Sequence, residues 1–270
     1  MKTRGFTLIE MVIAISISAI VVIFAAMFIG APLGAYAAQS RRAELVADAS
    51  SVWPRMEDDL RRALPNSLRT LRNGNFVVIE MLRVDDVARH ITPPALSFTT
   101  VGAYGGAPRY LSVNNLGTPG RDAYTLGQSM VAATIGRGPG AAGVYQITAN
   151  PVPVFTAGPS PRNRIYFVEG PVTYLCDEGQ GTLRRYANYT VAPNQAARAT
   201  PPALAAAVAA GGGNVELVTA GLTGCNFQVS PLPAPLADGN QSQTAAVRLT
   251  STRNGDTVTL LHSAQAEYVP

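Results

Sequence analysis

Residues 11–31, MVIAISISAIVVIFAAMFIGA, carry no ionisable side chain. A run of that length is enough to cross a bilayer, which takes roughly 20 apolar residues as a helix. Inside lipid the backbone must satisfy its own polar groups, so a helix is the expected state of this stretch. Before it come a short basic leader with Lys2 and Arg4, then Gly5, then Phe6-Thr7-Leu8-Ile9-Glu10. Glu10 is the anomaly. A carboxylate carried to the centre of a bilayer costs about 2.5–3.5 kcal/mol, so an acid beside such a run points to function and needs a partner. If the bond after Gly5 is cut, the new amine of Phe6 lies one helical turn before Glu10. It can then neutralise Glu10 on the same chain or on a neighbour.

The segment Arg4-Gly5-Phe6-Thr7-Leu8-Ile9-Glu10, followed by an apolar helix, resembles the N-terminus of type IV pilins and type II secretion pseudopilins. The resemblance implies that a prepilin peptidase cleaves after Gly5 and N-methylates Phe6. It also implies that Glu10 recruits or registers the next subunit. Two other readings compete. A secretory signal peptide would be cut near Ala35-Tyr36-Ala37, but the apolar run exceeds the usual ~7–15 residues and Glu10 would sit within the signal core. A plain uncleaved anchor is the third. Orientation is not decided by charge, because Arg41 and Arg42 follow the span just as Lys2 and Arg4 precede it.

The formal charge is +4; without Lys2 and Arg4, 19 Lys and Arg face 17 Asp and Glu, leaving +2. That balance argues against nucleic acid as a partner. Cys176 and Cys225 lie far apart and form no CxxC pair. In an exported domain they read as one disulfide, and the first stretch implies export.

Residues 32–68 read as the amphipathic half of a long helix. Leu45, Ala49, Val52, Met56, Leu60 and Ala63 recur at three- and four-residue spacing. Pro32, with Gly30 and Gly34, predicts a kink; Pro54 predicts a second kink or a restart with Glu57-Asp58 in the new first turn. Trp53 reads as core. Beyond residue 68, short β-signals follow: 76–82 and 95–101, then a Gly/Pro-rich irregular excursion over 102–163 with one or two strands, such as 143–148. Next come two short runs around Gly170-Pro171, a return over 182–191, and a helix or loop over 201–213. A strand from 215 carries on through Cys225, a proline-rich link covers 231–239, and a closing hairpin turns at Asn254-Gly255. Segments 59–68, 164–186 and the C-terminus ending Glu267-Tyr268-Val269-Pro270 resemble MshO-type minor pilins of mannose-sensitive haemagglutinin pili. Those are relatives of the J-type minor pseudopilins.

The signals for chemistry are weak. Gly136-Arg137-Gly138-Pro139-Gly140 looks like a phosphate loop but lacks the GK[ST] ending. Asp177-Glu178 lacks the wider oxygen cage of a calcium site and reads as a solvated turn. His90 and His262 lack metal-ligand spacing. His262 reads as a hydrogen-bonded or exposed strand residue. Ser129 lacks the second glycine of a nucleophile elbow. No catalytic, metal or cofactor-binding residue is therefore assigned.

The expected fold is α+β and pilin-like: leader 1–5, transmembrane and filament-core helix 6–31, amphipathic half 32–68, and a periplasmic β-rich domain 69–270 with a long Gly/Pro-rich insertion. The resemblance implies a structural subunit that initiates or caps a filament, rather than an enzyme. It starts as a single-pass inner-membrane protein with a periplasmic C-terminal domain and ends in a pilus or pseudopilus. Implied partners are prepilin peptidase, other minor and major pilins or pseudopilins, the inner membrane and its assembly platform. A J-type secretion pseudopilin, a DNA- or surface-binding tip pilin and a signal-anchored exported enzyme are the alternatives.

Overall fold

The computed structural model describes residues 7–95, 97–101, 106–139, 143–158, 160, 162–231 and 243–266. Helix α1 runs from Leu8 to Arg61 without interruption. The helix therefore passes through Pro54 and does not restart there, and it stops short of residue 68. An interior proline removes one hydrogen bond and costs about 3 kcal/mol. Burial offsets it here: Val52, Met56 and Leu60 flank the proline and are at most 1% exposed, each stabilising by about 1.5–3 kcal/mol.

Strands β1 (Arg69–Asn73) and β2 (Phe76–His90) form a hairpin across Gly74-Asn75, with Asn73 opposite Phe76. β1 is absent from the sequence expectation, and β2 is about twice the length expected. β3 (Ser97–Val101), β4 (Tyr110–Ser112), β5 (Met130–Ala132), β6 (Thr134–Pro139) and β7 (Val144–Asn150) follow, then β8 (Arg164–Asp177) and β9 (Thr182–Ala187). A 3-10 turn over Gln195–Arg198 leads into α2 (Pro201–Gly211), and β10 (Asn214–Ala220), β11 (Leu222–Val229), β12 (Gln243–Arg253) and β13 (Asp256–Ala266) complete the order.

The main sheet runs β10-β9-β8-β2-β3-β7-β6, with β1 beside β2 and β4 bridging β8 and β5. Every pairing in it is antiparallel. β11-β12-β13 form a separate sheet. Instead of two short runs around Gly170-Pro171, β8 is one strand, paired with β2 along its whole length through register shifts near Val84. The β12–β13 turn is a two-residue connection in which Asn254 and Gly255 have φ of 53° and 84°. That is the geometry an Asn-Gly hairpin favours.

The 102–163 stretch departs most from expectation. It is not an irregular excursion: among its described residues lie four strands, and they extend the main sheet. Phe98, Leu111, Ile147, Ala149, Ile165 and Phe167 share a core built across the excursion and the main sheet. Gly136 and Gly138 lie in β6 rather than in a phosphate-type loop. A Cβ at Gly136 would stand 2.6 Å from Thr148 Oγ1, so glycine permits the close β6–β7 approach.

The principal core lies between three elements. Val52, Met56 and Leu60 of α1 meet Ile79, Met81, Val172 and Tyr174 of the main sheet and Phe227, Val247 and Leu249 of the small one. Cys176 on β8 and Cys225 on β11 are joined by a disulfide that staples the two sheets together. On the opposite face of the main sheet, Leu204, Ala207 and Val208 of α2 cover Val78, Leu175 and Tyr186. The architecture is α+β, an N-terminal helix packed on antiparallel sheet, consistent with a pilin-like fold.

Candidate functional site

At its N-terminus α1 is capped by Thr7, whose Oγ1 accepts from the Glu10 amide. Glu10 answers with Oε2, 3.4 Å from both the Thr7 amide and its hydroxyl. Thr7-x-x-Glu10 is a capping box, a signal open to sequence reading that the expectation above did not use. Both residues are exposed and both contacts are long. The Glu10 carboxylate is thus held loosely by its own chain and lies open to another donor. Gly5 and Phe6 lie outside the described residues.

From Leu8 to Phe28 the helix is apolar and none of it is buried. These 21 residues rise about 30 Å at 1.5 Å per residue, the thickness of a hydrocarbon core. Leu8 is 84% and Phe28 is 76% exposed. Ser16 donates its hydroxyl to the Val12 carbonyl at 2.8 Å, so that polar group is satisfied within the helix. Such a surface is stable only in lipid or against other apolar helices.

The other end of α1 is held in the globular part by charge and stacking. Asp59, 1% exposed, accepts from Arg185 Nε at 2.6 Å, Arg185 Nη2 at 3.0 Å and the Tyr174 hydroxyl at 2.7 Å. Burial, followed by the neighbouring Asp59 carboxylate, pushes the Tyr174 phenol well above its ordinary range. The phenol therefore stays a donor. Arg83 adds Nε at 3.6 Å from Asp59 and Nη1 at 3.2 Å from Glu169. Further along the helix, Trp53 stacks on His262 of β13, with ring centroids 4.6 Å apart and planes within 14°. His262 is therefore part of the helix–sheet contact, not a hydrogen-bonded or free strand residue. Asp256, at the start of β13, accepts from Arg42 Nε at 2.9 Å, with Arg41 Nε 3.5 Å away.

The remaining residues singled out from sequence do not converge. Asp177 Oδ1 accepts from the amides of Gly179 and Gln180, closing its own turn. Glu178 pairs with Arg72 and accepts from the Cys225 amide. His90 Nδ1 lies 3.1 Å from the Thr92 carbonyl. Ser129 is buried, 3.4 Å from Asn115 Oδ1. Among the described residues no group of three His, Cys, Asp or Glu is placed to hold a metal.

Residues 1–26 match the family model of the prokaryotic N-terminal methylation motif. No curated protein and no solved structure matches the chain. The motif, with the exposed apolar helix it overlaps, supports a type IV pilin-like, membrane-anchored subunit. The motif implies processing by prepilin peptidase and assembly with other pilins.

Proposed function

We propose that this chain is a minor pilin, a structural subunit that initiates or caps a type IV pilus-like filament from the inner membrane. The observation that carries the reading is a methylation motif whose apolar part is a spanning-length, wholly exposed helix. In the proposed sequence the globular part rests in the periplasm and α1 in the membrane. Prepilin peptidase cuts after Gly5 and methylates Phe6. Glu10 exchanges its weak contacts with Thr7 for the Phe6 amine of a neighbouring subunit. Pairing compensates a carboxylate that is costly to bury, and the apolar helices close on one another instead of on lipid.

The strands threaded through 102–163 enlarge the domain, which suits a tip position, where bulk does not obstruct repeated packing. The resemblance of 59–68 and 164–186 favours an MshO-type subunit, with a J-type pseudopilin as its nearest relative.

Mass spectrometry of the mature N-terminus tests the reading. It is expected to begin at Phe6 and to be methylated; a start at Ala38 indicates a signal peptide, and one at Met1 an uncleaved anchor. Glu10→Ala is expected to leave the Phe6 terminus intact while reducing incorporation into filaments. Wild-type incorporation of that variant would remove Glu10 from the assembly step.

A further inference from the structure

The chain leaves α1 through Leu64-Pro65-Asn66, and just past the helix end lies a polar cavity of about 30 Å³. Asn66, Asn114, Asn115, Ser160, Arg162 and Arg164 supply its polar wall, and no acid among the described residues lines it. The cavity sits at the far end of a 54-residue helix, about 80 Å from Leu8 at 1.5 Å per residue.

The wall is held by hydrogen bonds that leave donors over. Asn114 gives one amide N–H to the Ala157 carbonyl at 3.1 Å, and Asn115 gives one to the Pro65 carbonyl at 2.8 Å. Each carboxamide has two such N–H groups. Ser160 Oγ accepts from the Arg164 amide at 3.0 Å, so its own O–H remains to donate. Asn66 and Asn114 hold φ of 60° and 46°, and Asn163, between the two arginines, holds 52°. Positive φ at three non-glycine residues round one cavity marks a wall shaped by tight turns, a feature that gathers at ligand sites.

Charge points the same way. Between residues 87 and 168 six arginines stand against one acid, Asp122. That carboxylate already accepts from the Tyr124 amide and the Thr125 hydroxyl. Arg89 of β2 and Arg164 of β8 lie directly opposite one another in the ladder, so their side chains share a face. Like charges placed so are destabilising. Neither arginine is paired with a carboxylate among the described residues.

We propose that this cavity binds the carboxylate group of a small organic acid. A water needs about 10–15 Å³ of such space, so the cavity takes two oxygens, the number a carboxylate carries, and is small for a phosphate. Arg164 offers the planar fork that suits a carboxylate. Asn114, Asn115 and Ser160 donate to the remaining lone pairs. The bound charge offsets the repulsion between Arg164 and Arg89, which an uncharged ligand cannot do. The site stands apart from the filament reading; only its placement far from the membrane depends on that reading.

The test is calorimetric titration of the full chain in detergent at pH 7. The probes are acetate, glucuronate (the same group on a sugar), inorganic phosphate and, as the uncharged control, acetamide. Acetate is expected to saturate one site with a Kd on the order of 1 mM, as so small a ligand allows. Phosphate and acetamide are expected to bind at least about tenfold more weakly. Tighter binding of glucuronate than of acetate would place the carboxylate on an acidic sugar; the reverse would place it on a simple acid. Arg164→Gln is expected to weaken acetate by roughly tenfold, the loss of one charge-assisted hydrogen bond. Its urea midpoint should hold or rise, because the repulsion with Arg89 is gone. Arg89→Gln, at an exposed position, is expected to weaken acetate by about two- to threefold through the same charge. Arg137 pairs with Ile147, on the other face of the sheet, and Arg137→Gln should leave binding unchanged. Acetate heat no greater than that of acetamide overturns the proposal, as does wild-type binding in both Arg164→Gln and Arg89→Gln. Phosphate binding tighter than acetate overturns it too. Lowered urea midpoints in both variants would assign the pair to the fold and overturn it as well.

Discussion

The first and last thirds of α1 belong to one helix, yet Leu8–Phe28 buries nothing while Val52, Met56 and Leu60 are almost wholly enclosed. The first is apolar on every side and the last on one face only, and their surroundings are opposite. Most helical stability in proteins comes from packing an apolar face rather than from propensity. The last third finds that packing inside its own chain, in the core shared by both sheets. The first third must find it elsewhere, in a bilayer or among other helices. One element thus joins a self-sufficient fold to a surface that needs an assembly.

The sharpest way to break this comparison is to truncate one side chain at each end. Asp59→Ala leaves Arg185 buried without its carboxylate and is expected to destabilise the globular part by about 3–5 kcal/mol. Val12→Ala, on the exposed third, is expected to change it by less than about 0.5 kcal/mol. Urea unfolding in detergent, followed by the fluorescence of Trp53, the one tryptophan in the chain, measures both. Comparable losses would mean that the two ends are not energetically separate.

A slightly smaller effect probes how the small sheet is held. β13 carries His262 and Asp256 to α1, and its sheet is cross-linked to the main sheet through Cys176 and Cys225. Replacing both cysteines by serine is expected to cost about 2–5 kcal/mol, the usual range for loss of a native disulfide. The same pair of changes is expected to leave membrane extraction behaviour untouched, because the exposed third of α1 makes no use of the small sheet. Loss of membrane anchoring in that variant would contradict the division.

The two regions also differ in how far sequence alone reveals them. The anchor is written in one dimension: an unbroken apolar run, a glycine and an acid at fixed spacing. The closing hairpin is nearly as plain, because Asn254-Gly255 can adopt positive φ at both positions. What escapes a linear reading is whatever depends on distant partners. Asp59 and Arg185 are 126 residues apart, and nothing local marks them as a pair. β4 and β5 are three residues long, too short for an alternation to register. Pro54 signals a break in its helix that only the core around Val52, Met56 and Leu60 overrides.

The smallest effect concerns pH, and its sign follows from the ion pairs. The Arg72 side chain holds Glu178 below its ordinary value, with help from the Cys225 amide, and Arg42 does the same for Asp256. A carboxylate depressed in the folded state adds stability that is fully present above its unfolded value, about 4.3 for Glu and 3.9 for Asp. That stability is lost as pH falls through the lower folded value. Glu80 works the other way: burial raises it against the pull of Arg69, so acidification through its folded value favours the fold. Comparing Glu178→Gln with the parent chain cancels Glu80 and isolates one tie between the main sheet and β11. Arg72 is half exposed, so the gap at pH 7 is expected to be only a few tenths to about 1 kcal/mol. Urea midpoints read at Trp53 should show the gap constant down to about pH 5 and closing below about pH 4. A gap that persists at pH 3 would mean that Glu178 acts through shape rather than charge.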